Sequence, residues 1–161
     1  MRGARNRKKC KMSREILFKA KRKNWRELPK EEWWVEGDLR QDRDLETAFI
    51  SGWDYYTSES GLEREPFEYE IDPETFCQYT GKTDKNEKKI WENDIVRTSK
   101  FGKDDGNGHN YAGFDVFVVK WDNGGFALFN KRRRFNLRTD EKSYEVIGNI
   151  YDNPELLGGA E

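Results

Sequence analysis

No stretch of this chain keeps an amphipathic pattern long enough to build a substantial helix. What recurs instead is the short alternation of a strand, cut off each time by Gly, Asn or Pro. Ile16, Phe18 and Ala20 alternate with Leu17, Lys19 and Lys21, and Trp33-Trp34-Val35 begins a second strand. Residues 47–56, TAFISGWDYY, are rich in β-branched and aromatic types. Phe67, Tyr69 and Ile71 alternate with Glu68 and Glu70. Ile90 to Val96 reads as an approach, a tight turn and a strand. Phe114 to Trp121 is the strongest strand, and Asp122-Asn123-Gly124-Gly125 folds it back onto Phe126–Phe129, because Asn-Gly accepts positive φ at both centres. Tyr144 to Ile150 is the last strand. Loops are expected around Asn24 and Pro29, at Ser58-Ser60-Gly61, at Thr83–Lys88, over 102–113 and over 130–143. Asp72-Pro73-Glu74 predicts one capped helical turn with Pro73 in its first position, and Asn153 to Leu157 predicts another. The expected fold class is therefore mainly β (β-rich α+β). It has many short antiparallel strands, is partly barrel-like, and has only short helical turns.

A length of 161 residues fits one domain. Hydrophobic residues make up 34% and charged residues 38%, which alone leans toward disorder. Six Trp, seven Tyr and ten Phe argue the other way, since each ring buries a large area. The expectation is a small aromatic core under a charged surface. Cys10, Cys77 and the one histidine, His109, cannot furnish a four-ligand zinc site, and no cofactor is implied. No segment approaches the roughly 20 apolar residues of a membrane span. The basic N-terminus has no apolar core behind it, so it is not read as a signal peptide. A cytoplasmic location follows as the expectation.

Charge is segregated along the chain. Residues 1–26 hold twelve Lys or Arg against one acid, Glu15, whereas residues 27–74 hold sixteen acids against four bases. Residues 75–161 hold fourteen of each. Such asymmetry invites a nucleic-acid reading of the first segment.

Three local patterns imitate functional motifs and fail on spacing. Gly81-Lys82-Thr83 resembles the end of a phosphate-binding loop, but the glycine required five residues earlier is Phe76. Asp104 to His109 suggests a calcium loop, yet its sixth position is His109 or Asn110 rather than Gly, and its twelfth is Asp115 or Val116 rather than Glu. His109 has no orienting partner nearby in sequence, as a general base needs. No catalytic constellation can be assembled, and the chain is read as a non-enzyme. Two candidates remain. Lys131, Arg132, Arg133, Arg134, Phe135 and Arg138 join phosphate-binding guanidinium groups to a ring that can stack on a base, against the plainer reading of a solvated basic loop. Trp33, Trp34, Trp53, Tyr55 and Tyr56 lie in strand-like segments with rings on both faces. Adjacent Trp33 and Trp34 would point to opposite sides of a strand, so one needs cover from another element or from a partner.

A set of ordered motifs over residues 13–157 resembles the YopX family of phage and prophage proteins. They run Arg14-Glu15-Ile16-Leu17-Phe18-Lys19-Ala20, Asp72-Pro73-Glu74-Thr75, Gln78-Tyr79-Thr80-Gly81, Asp84-Lys85-Asn86, Ile90-Trp91-Glu92 and Asp94-Ile95-Val96, and end with Tyr144 to Leu156. Three departures stand out. Lys82-Thr83 replaces Leu-Lys, Glu87 replaces a turn Gly, and Asn93 replaces a Gly before Asp94. Asn tolerates left-handed backbone, so the last change should leave the fold intact, whereas Glu87 suggests a different turn type. The resemblance implies a small β-rich protein of unassigned activity in a bacterial host cell, and it supplies no catalytic residues. It also suggests that Met12 is the natural start. Residues 1–12 would be a basic disordered extension, 13–157 a single domain and 158–161 a tail. Dropping residues 1–11 removes six positive charges, which weakens a DNA-binding reading. The expected function is a protein-interaction or self-associating module whose partner is a second copy or a host or phage protein. The alternative is a nucleic-acid-binding accessory protein using residues 131–138. No membrane is expected as a partner.

Overall fold

The computed structural model describes residues 15–44, 46–101, 112–137 and 144–157. Among them lie β1 Phe18–Lys21, β2 Trp34–Asp42, β3 Thr47–Ser58, β4 Gly61–Glu70, β5 Cys77–Thr83, β6 Lys89–Trp91, β7 Asp94–Phe101, β8 Ala112–Asp122, β9 Gly125–Phe129, β10 Arg134–Asn136 and β11 Tyr144–Asn149. They form two antiparallel sheets, ordered β4-β3-β2-β1-β5-β6 and β10-β9-β8-β7-β11. Helical structure is confined to short 3₁₀ turns, as expected. Among the described residues neither strand order closes on itself, so the partly barrel-like arrangement read from the sequence takes the form of two sheets that do not close.

The turn chemistry dictates much of this. Asn123 and Gly124 have φ of 48° and 82°, the two left-handed residues of a hairpin turn between β8 and β9. Asp72 caps the turn Pro73–Thr75 by accepting a hydrogen bond from the Glu74 N–H at 3.2 Å. Asn93 has φ 64°, as its place before β7 suggested. Glu87 also has φ 64°. It takes up the left-handed geometry itself, where the sequence suggested a different turn.

Three local expectations change. Trp33 has αR geometry (φ −63°, ψ −45°) and closes the 3₁₀ turn Lys30–Glu32, so β2 starts only at Trp34 and the two indoles do not alternate along a strand. Ser58 and Gly61 pair directly in a tight hairpin, so Leu62 to Pro66 extend β4 rather than fill a loop. Pro66 is tolerated because β4 is the outermost strand of its sheet. The basic stretch after Asn130 contains β10, paired with β9 from Arg134↔Phe129 to Asn136↔Ala127.

Alternation in β1 sends Phe18 and Ala20 to one face and Lys19 and Lys21 to the other. Ala20 joins Val35, Ile50 and Ile71 in one core, with Phe18 stacked on Phe76 at 5.1 Å. The second sheet has its own core of Ile90, Val96, Phe117, Val119, Leu128, Leu137 and Tyr144. A third cluster, Cys77, Tyr79 and Trp91 with Leu17, Trp34 and Tyr151 packed on it, fills the junction between the sheets. The turn between β6 and β7 fastens that junction. Asn93 donates to the Val119 carbonyl at 2.7 Å and accepts from the Ile150 N–H at 3.1 Å. Asp84, 4% exposed, accepts the N–H groups of Asn86, Lys88 and Val146 and ties its turn to β11. Among the described residues no helix is long and apolar enough to cross a membrane.

Candidate functional site

Two places concentrate rings and charges in the first sheet, and they are built oppositely. The first is the sheet junction. Lys19 and Lys21 leave β1 on the face away from the Ala20 core, where a lysine is stable only if its ammonium finds partners. Lys21, 2% exposed, reaches Asp152 at 2.7 Å and lies 3.9, 4.5 and 5.5 Å from the ring centres of Trp25, Trp33 and Trp34. Lys19 reaches Asp94 at 3.0 Å and lies 5.1 and 5.2 Å from the rings of Trp34 and Trp91. Rings at such distances hold a cation by their negative faces. The indole N–H groups are used as well: Trp34 donates to Asp152 at 2.8 Å and Trp33 to the Leu28 carbonyl at 2.9 Å.

Burial pushes the Asp94 carboxyl above its usual range, against the pull of Lys19 and the Trp91 N–H. Burial works the same way on Asp152, but hydrogen bonds from Lys21, Asn149 and Trp34 outweigh it and hold that carboxyl below its usual range. Cys77, fully buried, has its thiol pushed up to about 12, chiefly by burial. A thiol in that state is a poor nucleophile. A cleft of about 580 Å³ opens beside this network, lined by Lys19, Trp34, Glu36, Lys89, Trp91 and Asp94 among others. In its wall Lys89 pairs with Glu36 at 3.1 Å. The charges of Lys19, Lys21, Asp94 and Asp152 are thus satisfied by one another, and the network fastens the sheets together. Among the described residues no group of three or more His, Cys, Asp or Glu is arranged to hold a metal ion.

The second place is the far half of the β3–β4 hairpin. β2 pairs with β3 only as far as Asp38↔Ser51, whereas β3 and β4 stay paired from Phe49↔Glu70 to Ser58↔Gly61. Gly52 marks the change. A Cβ there would lie 2.7 Å from the Phe67 ring, so the missing side chain lets Phe67 close the core over the strand. Beyond it the hairpin is a two-stranded arm, and residues directly opposite share a face. One face carries Trp53 with Pro66, Tyr55 with Arg64 and Thr57 with Leu62. The other carries Asp54 with Glu65 and Tyr56 with Glu63. The second face continues the side that near the body holds Ile50 and Tyr69. The apolar side of the ribbon therefore switches faces at Gly52. Trp53, Tyr55, Tyr56 and Leu62 are 48, 64, 46 and 75% exposed. Arg64 lies 4.3 Å over the Trp53 ring, and Tyr56 donates to Glu63 at 3.3 Å.

The structure thus divides the aromatic residues singled out in the sequence. Trp33 and Trp34 are half-buried in the junction, with their N–H groups bonded within the chain, whereas Trp53, Tyr55 and Tyr56 share the arm. Leu62 joins Trp53 and Tyr55 on one face of the arm, with Tyr56 on the other, and was missed because it follows directly on an expected loop. Lys19, Lys21, Asp94 and Asp152 were missed because the lysines read as the solvent side of β1.

The basic candidates form a corner of the second sheet. Arg134 is held by Asp122, its Nε at 2.6 Å, and Arg133 approaches Asp115 at 4.0 Å. Lys131 and Arg132 stand exposed in the turn before β10. Phe135 meets Phe117 edge-on at 5.7 Å yet stays 47% exposed. On the same face Trp121, 50% exposed, meets Phe126 at 5.0 Å. Arg138, the 104–109 segment and His109 lie outside the described residues.

The family model described as YopX protein matches residues 25–158. Among solved structures, the crystal structure of protein EF1440 from Enterococcus faecalis aligns with a TM-score of 0.54 at 23% identity, over 90% of this chain and 99% of that one. At that identity the likeness concerns the fold alone. No curated protein matches the chain.

Proposed function

The chain belongs to the YopX family, and on that premise we propose that it is a non-enzymatic, phage- or prophage-derived interaction module of the bacterial cytoplasm, whose contact surface is the arm beyond Gly52. One observation carries the reading. The arm is solvated on both sides and still holds Trp53, Tyr55, Tyr56 and Leu62 outward. An isolated two-stranded ribbon is marginal in water. Contiguous rings rimmed by charge mark protein contacts more often than bare surface. A non-enzymatic role fits the mutual pairing of the junction's lysines and carboxylates. Nucleic-acid binding through residues 131–138 draws less support, since Asp122 and Asp115 offset two of its arginines.

The test replaces Tyr55 with a photo-crosslinking phenylalanine analogue, and Glu74 as a reference exposed position away from the arm. Irradiation of the full chain, purified and in producing cells, is expected to give a protein adduct from position 55 and none from position 74. The adduct should disappear when Trp53 and Leu62 become Ser. Absence of any adduct from position 55 overturns the reading.

A further inference from the structure

Apart from Ile16, the large apolar side chains exposed among the described residues fall in two places. Trp53, Tyr55, Tyr56 and Leu62 occupy the arm, and Trp121 and Phe135 occupy the β8–β10 corner. The two places carry opposite charge. Residues 53–66 hold Asp54, Glu59, Glu63 and Glu65 against Arg64 alone. The corner holds Lys131, Arg132, Arg133 and Arg134 against Asp115 and Asp122. Lys131 and Arg132 are both exposed, whereas Arg133 and Arg134 face Asp115 and Asp122.

Each place also lies at a sheet edge. β4 is the outermost strand of the first sheet and β10 of the second, and among the described residues each has one strand partner, β3 and β9. Such edges offer backbone N–H and C=O groups to an added strand. We propose that the arm of one copy docks on the β10 corner of a second copy. Its rings would lie against Trp121 and Phe135, and its carboxylates would face Lys131 and Arg132. This rests on the reading of the arm as a contact surface and names its occupant. The two surfaces differ, so the contact is head-to-tail. It builds a ring where the rotation closes and a chain where it does not.

Sedimentation velocity on the full chain tests this with two charge-swapped variants. In one, Asp54→Lys and Glu65→Lys make the arm basic. In the other, Lys131→Glu and Arg132→Glu make the corner acidic. The unaltered chain is expected to associate with rising concentration, and each variant alone to lose affinity by about tenfold or more. An equimolar mixture of the two is expected to associate again, because each arm then meets a corner of opposite sign. A mixture that stays monomeric overturns the proposal. If the corner variant alone keeps associating while the arm variant does not, arms meet arms: the corner falls and the arm reading stands. If the arm variant keeps associating, copies meet elsewhere: the proposal falls, and the arm reading is decided by its cross-link in cells. If the unaltered chain stays monomeric, the second copy is excluded, and the arm reading is then decided by its cross-link in cells.

Discussion

Trp34 and Trp53 belong to adjacent strands of one sheet, and their fates are opposite. Trp34 is half-buried, its N–H on Asp152 and its ring shared by Lys19 and Lys21. Trp53 is 48% exposed, with Arg64 across its face. Residue type does not separate them, since both are indoles with a cation nearby. What separates them is a second layer. At β1 the sheet is covered on both faces, by the Ala20 core on one and by the 150–153 turn and β7 on the other. Past Gly52 the ribbon has outrun β2, and among the described residues no strand pairs beside it beyond β3 and β4 and its side chains are mostly exposed. Charges near the first indole are fixed and desolvated, and those near the second stay in water. The same cation–ring contact is therefore buried between layers in one place and open to water in the other.

The comparison makes its strongest claim at Lys21. Removing one partner of a buried ion pair leaves the other uncompensated, so Lys21→Ala is expected to destabilise the protein by about 3–5 kcal/mol. Lys21→Met with Asp152→Asn should cost clearly less, because no lone charge remains. Urea unfolding of both measures the difference. Equal losses would mean that shape, not charge, matters at this site. Next in size, Trp34→Phe keeps a ring beside both lysines but withdraws the N–H from Asp152. A loss of about 1–3 kcal/mol is expected in the same assay. A neutral result would place Trp34 in the same class as Trp53.

How much of this contrast could be read from the sequence depends on how far each contact reaches along the chain. The Asn123-Gly124 hairpin and the Asp72-Pro73 cap were legible because a few adjacent residues set them. The junction was not. Lys19 meets an aspartate 75 residues away, and in a window of neighbours its alternation with Phe18 and Ala20 looks like a solvent face. The motifs behind the family resemblance did contain Asp84, Asp94 and Asn149, but only the fold gives their reasons. Asp84 holds a turn and β11, Asp94 anchors Lys19 and the Trp91 N–H, and Asn149 caps the 150–152 turn. For the arm, the aromatic segment was legible and its exposure was not, because exposure depends on where β2 stops pairing with β3.

Acid separates Glu145 from Asp94 as well. On the surface, hydrogen bonds from Lys85 and Arg97 lower the Glu145 carboxyl from 4.5 to about 2. A carboxyl lowered in the folded state adds stability above its unfolded value and loses it as pH falls toward its folded one. Stability is therefore expected to drop between pH 4.5 and about 2, and to drop less in Glu145→Gln, as urea unfolding across that range would read. Asp94 has the opposite sign. Burial raises its carboxyl, so its contribution weakens as pH rises above the ordinary aspartate range and is undiminished in acid. An acid limb unchanged by Glu145→Gln would mean that the solvated ion pairs carry no share of it.

The smallest effect on stability is expected where the largest exposed rings are. Replacing Trp53 and Leu62 by Ser, with position 55 kept for the cross-linker, strips most of the apolar face of the arm but leaves every contact of the junction. Surface changes away from packed features usually stay within about 0.5 kcal/mol each. Arg64 loses its ring, an exposed cation–π contact worth roughly 0.5–1 kcal/mol at most. The double variant should therefore unfold near the urea midpoint of the unaltered chain, while its cross-linking from position 55 is lost. A large fall in the midpoint would mean that these rings support the fold, and that the arm is a second core edge rather than a contact surface. An unchanged midpoint with undiminished cross-linking would separate exposure from recognition, and the apolar face would then have no part in binding. Only the combination of full stability and lost contact keeps the two indoles in different classes, one held by the fold and one held out from it.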